Sequence, residues 1–258
     1  MPPDTDQSIL HSPSPEGITI ITLNRPHVKN AINHSSSLQL AHAFHAFEAD
    51  PSQKVCILTG TGTTFCAGYD LQEAQRRRAR SHGSLQDGLH KARHRRRFRA
   101  RRRGGLELSL LADIRIADTT AVFGVFCRRF GVPLIDGGTV RLQKVIGLGR
   151  AMDMILTGRP VDAQEALSMG LANRVVERGT ALEAAVEMAR GLLRFPQRCM
   201  RADLASAHYS AYDASSLEDA LRYEFENGSR VVNEEGIAGA RRFKGGQGRG
   251  GSFKLSKL

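Results

Sequence analysis

The sequence predicts an α/β fold, a layered or spiral core followed by a helical C-terminal part. Three observations predict it. Ile18–Leu23 and Val55–Thr59 each read as short strands, a helical spacing lies between them, and from Val140 onward one helical pattern succeeds another. With 258 residues the chain can bury one full hydrophobic core, and it holds no flexible stretch long enough to link two globular domains. A single domain is expected, with the core over residues 1–195 and a helical region over residues 196–258.

Ile18–Leu23 alternates β-branched and apolar residues as a strand does, and Asn24-Arg-Pro26 interrupts it. Ser35 to Asp50 carries Leu38, Ala41, Phe44 and Phe47 at three-residue spacing, which predicts a helix capped by Ser35 or Ser36 and ended by Pro51. Val55–Thr59 follows as a short buried strand, and Gly60-Thr-Gly62 turns the chain toward Phe65. Gly104 to Ala112 reads as a helix entered through two glycines, and Asp113 to Ala117 returns to strand. Helices are then expected at Val140–Ile146, Arg150–Leu156, Ala163–Met169, Ala181–Leu193, Gln197–Ser210 and Leu217–Asn227, punctuated by Gly, Pro and Asp.

Composition excludes several classes. The first seventeen residues lack a basic segment followed by an apolar one, and no later run is long enough to span a bilayer, so a cytoplasmic protein without membrane partners is expected. Cys56, Cys66, Cys127 and Cys199 are widely spaced with no C-x-x-C pair, which argues against zinc and against a disulfide framework. The net charge of +11 is local. Residues 75–103 hold thirteen Lys or Arg and one acid, Asp87, while the rest of the chain balances 24 basic against 25 acidic residues. A general nucleic-acid surface is therefore not expected.

Two motifs carry the chemistry. Phe65-Cys-Ala-Gly-Tyr-Asp-Leu71 and Gly104-Gly-Leu-Glu107 together resemble the active-site signatures of the crotonase (enoyl-CoA hydratase/isomerase) family. Supporting text occurs in the family's order: Asn24-Arg-Pro26, Lys29-Asn-Ala-Ile32, Asp113-Ile-Arg-Ile-Ala117, Gly137-Gly-Thr139, Leu156-Thr-Gly158 and Ala163 to Gly170. The resemblance implies a crotonase-like ββα spiral with C-terminal helices at subunit contacts, assembled as a homotrimer or hexamer. It further implies an acyl-CoA thioester substrate, no cofactor beyond the CoA that the substrate carries, and no metal.

The family's shared chemistry is stabilisation of a thioester enolate by two backbone N–H groups, and the matching positions here are Tyr69 and Gly104. Such donors act where negative charge develops, glycine permits close approach, and losing one typically costs about a hundredfold or more in rate. Glu107 matches the family's first catalytic glutamate, placed to move protons at the acyl chain. On residue type alone, a glutamate in a first helical turn is a solvated partner of the helix dipole. Many relatives carry a second glutamate in a Phe-Gly-x-Pro-Glu segment. Here that segment reads Phe123-Gly-Val-Phe-Cys127, so Cys127, a poor base at ordinary thiol pKa, stands in its place. Asp136, in Leu134-Ile-Asp-Gly-Gly138, is the nearest other acid, and a turn role for it is equally open. By resemblance Lys29, Ala31, Ala67, Gly68, Asp70 and Leu71 contact CoA or substrate, and Phe243 to Phe253 forms a tail that closes near the CoA.

One stretch departs from the family. Before Gly104 the family normally reads Lys-Pro-Val-Ile-Ala-Ala-Val and on into a buried strand, whereas this chain reads Lys91-Ala-Arg-His-Arg-Arg-Arg-Phe-Arg-Ala-Arg-Arg-Arg103. A central strand cannot bury eight arginines, because each unpaired buried charge costs several kcal/mol by order of magnitude. Codon arithmetic offers an explanation. Arginine is mostly CGN, and a reading one nucleotide later turns each such codon into GNN (Val, Ala, Asp, Glu or Gly), so that Ala92 to Gly104 can be read as Pro-Val-Ile-Ala-Ala-Val-Ser-Gly-x-Ala-Val-Ala-Gly, the family strand. A frame error over this segment is the expectation, ahead of a basic RNA-binding arm. The function expected is hydration of a 2-enoyl-CoA. Double-bond isomerisation, which needs only one carboxylate, is the close alternative, and a catalytically impaired or non-enzymatic chain is the third.

Overall fold

A computed structural model describes residues 7–70 and 105–245. The expectations for Leu71, Gly104, residues 75–103 and the tail beyond Gly245 fall outside the described residues. The chain divides into two compact units, Met1–Ala185 and Val186–Leu258.

In the first unit, β1 (Ile9–Pro13) pairs antiparallel with β2 (Ile18–Leu23), which pairs parallel with β3 (Val55–Gly60). A parallel pair needs a crossover, and α1 (His34–Ala49) supplies it. β2 is the central strand of the three: Ile18, Thr19, Ile21 and Leu23 are all buried, and each fully buried aliphatic contributes about 1.5–3 kcal/mol. Thr19 is accommodated because its hydroxyl donates to Gln53 Oε1 at 2.9 Å. β1 carries no strand pattern in its sequence. Its Ser12 and Pro13 give no apolar alternation, and at a sheet edge neither is penalised.

α1 corrects two expectations. Its N-cap is Asn33, not Ser35 or Ser36: Asn33 Oδ1 accepts from Ser36 N while Ser36 Oγ accepts from Asn33 N, a reciprocal capping box. The buried face runs through Ser36, Ser37, Leu40 and Ala43, leaving the expected Leu38 46% exposed. Two serines can face inward because Ser36 is used by the cap and Ser37 Oγ donates to the His34 carbonyl.

After residue 104 the chain forms α2 (Gly105–Ser109), then β4 (Ile116–Asp118), β5 (Val122–Phe123) and a 3₁₀ turn, Phe126–Phe130. Next come α3 (Gly138–Ile146), α4 (Leu148–Thr157), β6 (Val161–Asp162), α5 (Ala163–Ser168) and β7 (Arg174–Val176). β4 pairs parallel with β7, and β5 antiparallel with β6. Two apolar clusters organise the unit. One joins Leu106, Val125, Leu142, Met154, Val161 and Leu171, and the other joins Ile21, Leu23, Ile32, Leu40 and Leu108. A helix as short as α2 is not stable alone. Leu106 anchors it in the first cluster and Leu108 in the second, so the residue between them is held at the seam.

α6 (Ala181–Leu193) crosses the boundary between the units, and α7 (Gln197–Tyr212), α8 (Leu217–Val231) and α9 (Ile237–Lys244) form the remainder. The Tyr209 and Tyr223 rings stack at 3.9 Å, and Tyr209 Oη donates to Asp219 Oδ2 at 2.9 Å, tying α7 to α8. A π-turn, Val232–Gly236, presents the Glu235 carboxylate to the N–H groups of Arg198 and Cys199 at the start of α7. α9 was not expected from sequence. Among the described residues no helix is long and apolar enough to cross a membrane.

Candidate active site

Glu107 sits in α2 between the two clusters with 3% of its surface exposed. A buried carboxylate must be hydrogen-bonded. Glu107 Oε1 accepts from the N–H of Gly138 at 2.8 Å and of Asp136 at 3.0 Å. Gly138 opens α3, so the carboxylate lies where the helix dipole and unsatisfied N–H groups favour negative charge. The turn that delivers these amides is itself fixed. Gly137 takes φ +93°, and Arg141 Nη1 donates to the Asp136 carbonyl at 3.0 Å.

Glycine is required at two contacts. A Cβ on Gly138 would lie 2.7 Å from Glu107 Cγ and 2.8 Å from its Oε1. A Cβ on Gly105 would lie 1.9 Å from the Cys66 carbonyl oxygen, so α2 begins with its backbone pressed on the loop Phe65–Asp70.

That loop runs alongside residues 29–32. Ala67 N donates to Lys29 O at 2.9 Å, Ile32 N to Gly68 O at 2.7 Å, and Asp70 N to Ile32 O at 3.0 Å. This parallel bridge pairs Ile32 with Tyr69 and leaves the Tyr69 N–H directed to the opposite edge. Lys29 and Asn30 are the two non-glycine residues of positive φ among the described residues, and Gly68 has φ +104°. Asn30 is buried: its Oδ1 accepts from Arg25 N, and its Nδ2 donates to the Thr61 and Thr64 carbonyls. Arg25 donates to the Ala31 carbonyl and to Asp70.

The structure thus brings the expected Lys29, Ala31, Ala67, Gly68, Tyr69 and Asp70 into one paired segment, and α2 with Glu107 starts against the same loop. The Asp70 carboxylate is engaged by Arg25, and Lys29 is exposed. Asp136 reaches Glu107 through its backbone N–H. Cys127, half-buried in the 3₁₀ turn, has its thiol pushed up by burial first and by the negative charge of Glu107 second, so it is a neutral thiol near physiological pH. Cys66 is likewise pushed up, to about 11, by burial. Among the described residues no group of His, Cys, Asp and Glu could hold a metal. Sequence reasoning gave no role to Arg25, Asn30, Gly138 or Arg141. The Asn24-Arg-Pro26, Lys29-Asn-Ala-Ile32 and Gly137-Gly-Thr139 strings contained three of them as family text.

A βαβ front half, a buried glutamate held by backbone amides and a glycine-bearing loop packed on its helix define an α/β protein of the crotonase class. The comparisons agree. The enoyl-CoA hydratase/isomerase family pattern matches residues 14–95 and 100–245, and the chain belongs to that family. It is 32% identical over 228 residues to mevalonyl-coenzyme A hydratase sidH of Aspergillus fumigatus, covering 84% of each chain. It is 32% identical to 2,3-dehydroadipyl-CoA hydratase of Escherichia coli, covering 72% of this chain and 76% of that one. A crystal structure of enoyl-CoA hydratase from Mycobacterium tuberculosis superposes with a TM-score of 0.76 at 30% identity, covering 91% and 96%.

Proposed function

We propose that this chain is an acyl-CoA hydratase that adds water across the double bond of a 2-enoyl-CoA. The observation that carries the reading is the pinning of buried Glu107 by the amides of Asp136 and Gly138 in a chain of this family. Glu107 takes a proton from water as the oxygen bonds to C3, and charge moves to the thioester oxygen. The N–H groups of Tyr69 and Gly104 stabilise that oxygen, and Glu107 returns the proton to C2. The net change is addition of H and OH, with the carboxylate regenerated. Supporting the Tyr69 assignment is the bridge to Ile32, which turns this N–H away from the paired edge. No cofactor takes part in this scheme.

Cys127 keeps a second outcome in view. Glu107 with a neutral thiol at Cys127, where many relatives carry a second glutamate, also suffices to carry a proton between C2 and C4, giving a 3-enoyl to 2-enoyl shift. Oligomerisation as a trimer or hexamer fits the exposed row Leu217, Leu221 and Phe225 on α8. The test is turnover of 2-enoyl-CoA and 3-enoyl-CoA thioesters with product identification. Glu107→Gln should lower hydration by about 10²–10⁴-fold. Retained turnover in that variant refutes the assignment.

A further inference from the structure

The geometry points to Arg25 as a positioning residue that sets the register between the two segments of the acyl-CoA site, an inference that rests on the function proposed above. Its guanidinium is largely buried, with 15% of the side chain exposed, and Asp70 shows 13%. Nη1 donates to the Ala31 carbonyl at 2.5 Å, and Nη1 and Nη2 both reach Asp70 Oδ2 at 3.1 Å. One planar cation therefore grips both sides of the seam, a main-chain oxygen of one segment and a carboxylate of the other.

What it grips matters for chemistry. The amide bridge between residues 29–32 and 67–70 is short, and such a piece of ladder does not define its own register. Slipping by one residue would exchange the N–H of Tyr69 for that of its neighbour at the site edge. Arg25 resists the slip from inside, because its own backbone is locked: Arg25 N donates to Asn30 Oδ1 and Arg25 O accepts from Asn30 N, each at 2.8 Å. Arg25 touches no reacting atom in this scheme. It acts through Ala31 and Asp70, and a lysine, a point charge without the fork, would hold only one of the two.

The test compares wild type, Arg25→Met, Arg25→Lys and Asp70→Asn, reading kcat and KM for a 2-enoyl-CoA and, by calorimetry, the Kd for saturated butyryl-CoA, each per folded molecule. Arg25→Met is expected to raise KM and the butyryl-CoA Kd about tenfold and to lower kcat/KM about a hundredfold, the scale of an ångström misplacement. Arg25→Lys should recover part of this. A purely structural role would lower the melting temperature and leave these constants at wild-type values, which would overturn the inference. If Arg25→Met does not fold, wild-type constants in both Arg25→Lys and Asp70→Asn would overturn it equally. Wild type that binds butyryl-CoA but turns over no enoyl-CoA sinks the hydratase reading alone, since weakened binding in the variants still supports Arg25. Wild type that binds no acyl-CoA overturns both.

Discussion

Gly138→Ala isolates the contact on which catalysis is proposed to depend. The added methyl would lie 2.7 Å from Glu107 Cγ, 2.8 Å from Oε1 and 3.0 Å from Cδ. Comfortable carbon contacts begin near 3.5 Å, so the carboxylate or the start of α3 must move by roughly 1 Å. Glu107 then loses its 2.8 Å bond from Gly138 N, a charge-assisted interaction of about 1.5–3 kcal/mol. A catalytic group displaced by an ångström costs about a hundredfold in kcat. Overpacking of about 1–3 kcal/mol destabilises the fold, while the lower entropy of an unfolded alanine offsets about 0.4–1 kcal/mol of it. The variant should thus fold, melt several degrees lower, and hydrate a 2-enoyl-CoA at about one hundredth of the wild-type kcat. Gly131→Ala is the control. Gly131 has φ +68° with nothing within 4 Å, so alanine there incurs left-handed strain of about 1–2 kcal/mol without touching Glu107. Steady-state kinetics and denaturant unfolding on both variants decide: kcat within twofold of wild type for Gly138→Ala would refute the reasoning.

Other expectations are independent of that contact. Asn33→Ala removes the acceptor of the Ser36 N–H in the capping box and should cost about 1 kcal/mol by denaturant melts, with kcat unchanged. Alkylation of Cys127, followed by peptide mass spectrometry against pH, should be slow near neutrality; Glu107→Gln removes one of the two causes that raise the thiol, so the profile should move to lower pH while burial keeps it above that of an ordinary thiol. Identical profiles would show that the charge of Glu107 does not reach the sulfur. Resequencing the gene should find a one-nucleotide change near codons 75–80 and a compensating one at the glycine codons 104–105; the family match itself breaks between residues 95 and 100. A clean in-frame read, with tryptic peptides from the purified protein matching the Arg-rich text, would end the frame-error explanation.

The fold was readable where burial imposes a period on the residues themselves. β2 shows it: a strand buried along most of its length favours β-branched and apolar residues, and Ile18–Leu23 is built of isoleucine, threonine and leucine alone. α1 misled because two of its buried positions are serines, whose hydroxyls are satisfied within the helix's own first turn, so the apolar stripe marks the wrong face. β1 left no mark at all, since an edge strand can be polar and can end in proline.

The site divides along a similar line. Glu107 could be singled out only through its motif, because residue type alone favours a solvated helix partner. What turns it into a buried, oriented carboxylate is a pair of main-chain N–H groups, and a backbone amide leaves no signature in the sequence of the residue that bears it. The trace it leaves is indirect: a position where any Cβ would collide with the glutamate has to be glycine, and Gly138 is that position. Arg25 follows the same logic with the opposite sign. Its fork spans a carbonyl and a carboxylate that lie 6 and 45 residues away in sequence, and only the three-dimensional pairing of residues 29–32 with 67–70 reveals why an arginine stands there. Substitutions at such supporting positions should therefore separate from those at Glu107 by kinetic signature: loss of the base leaves binding intact, whereas loss of the clamp weakens binding and turnover together.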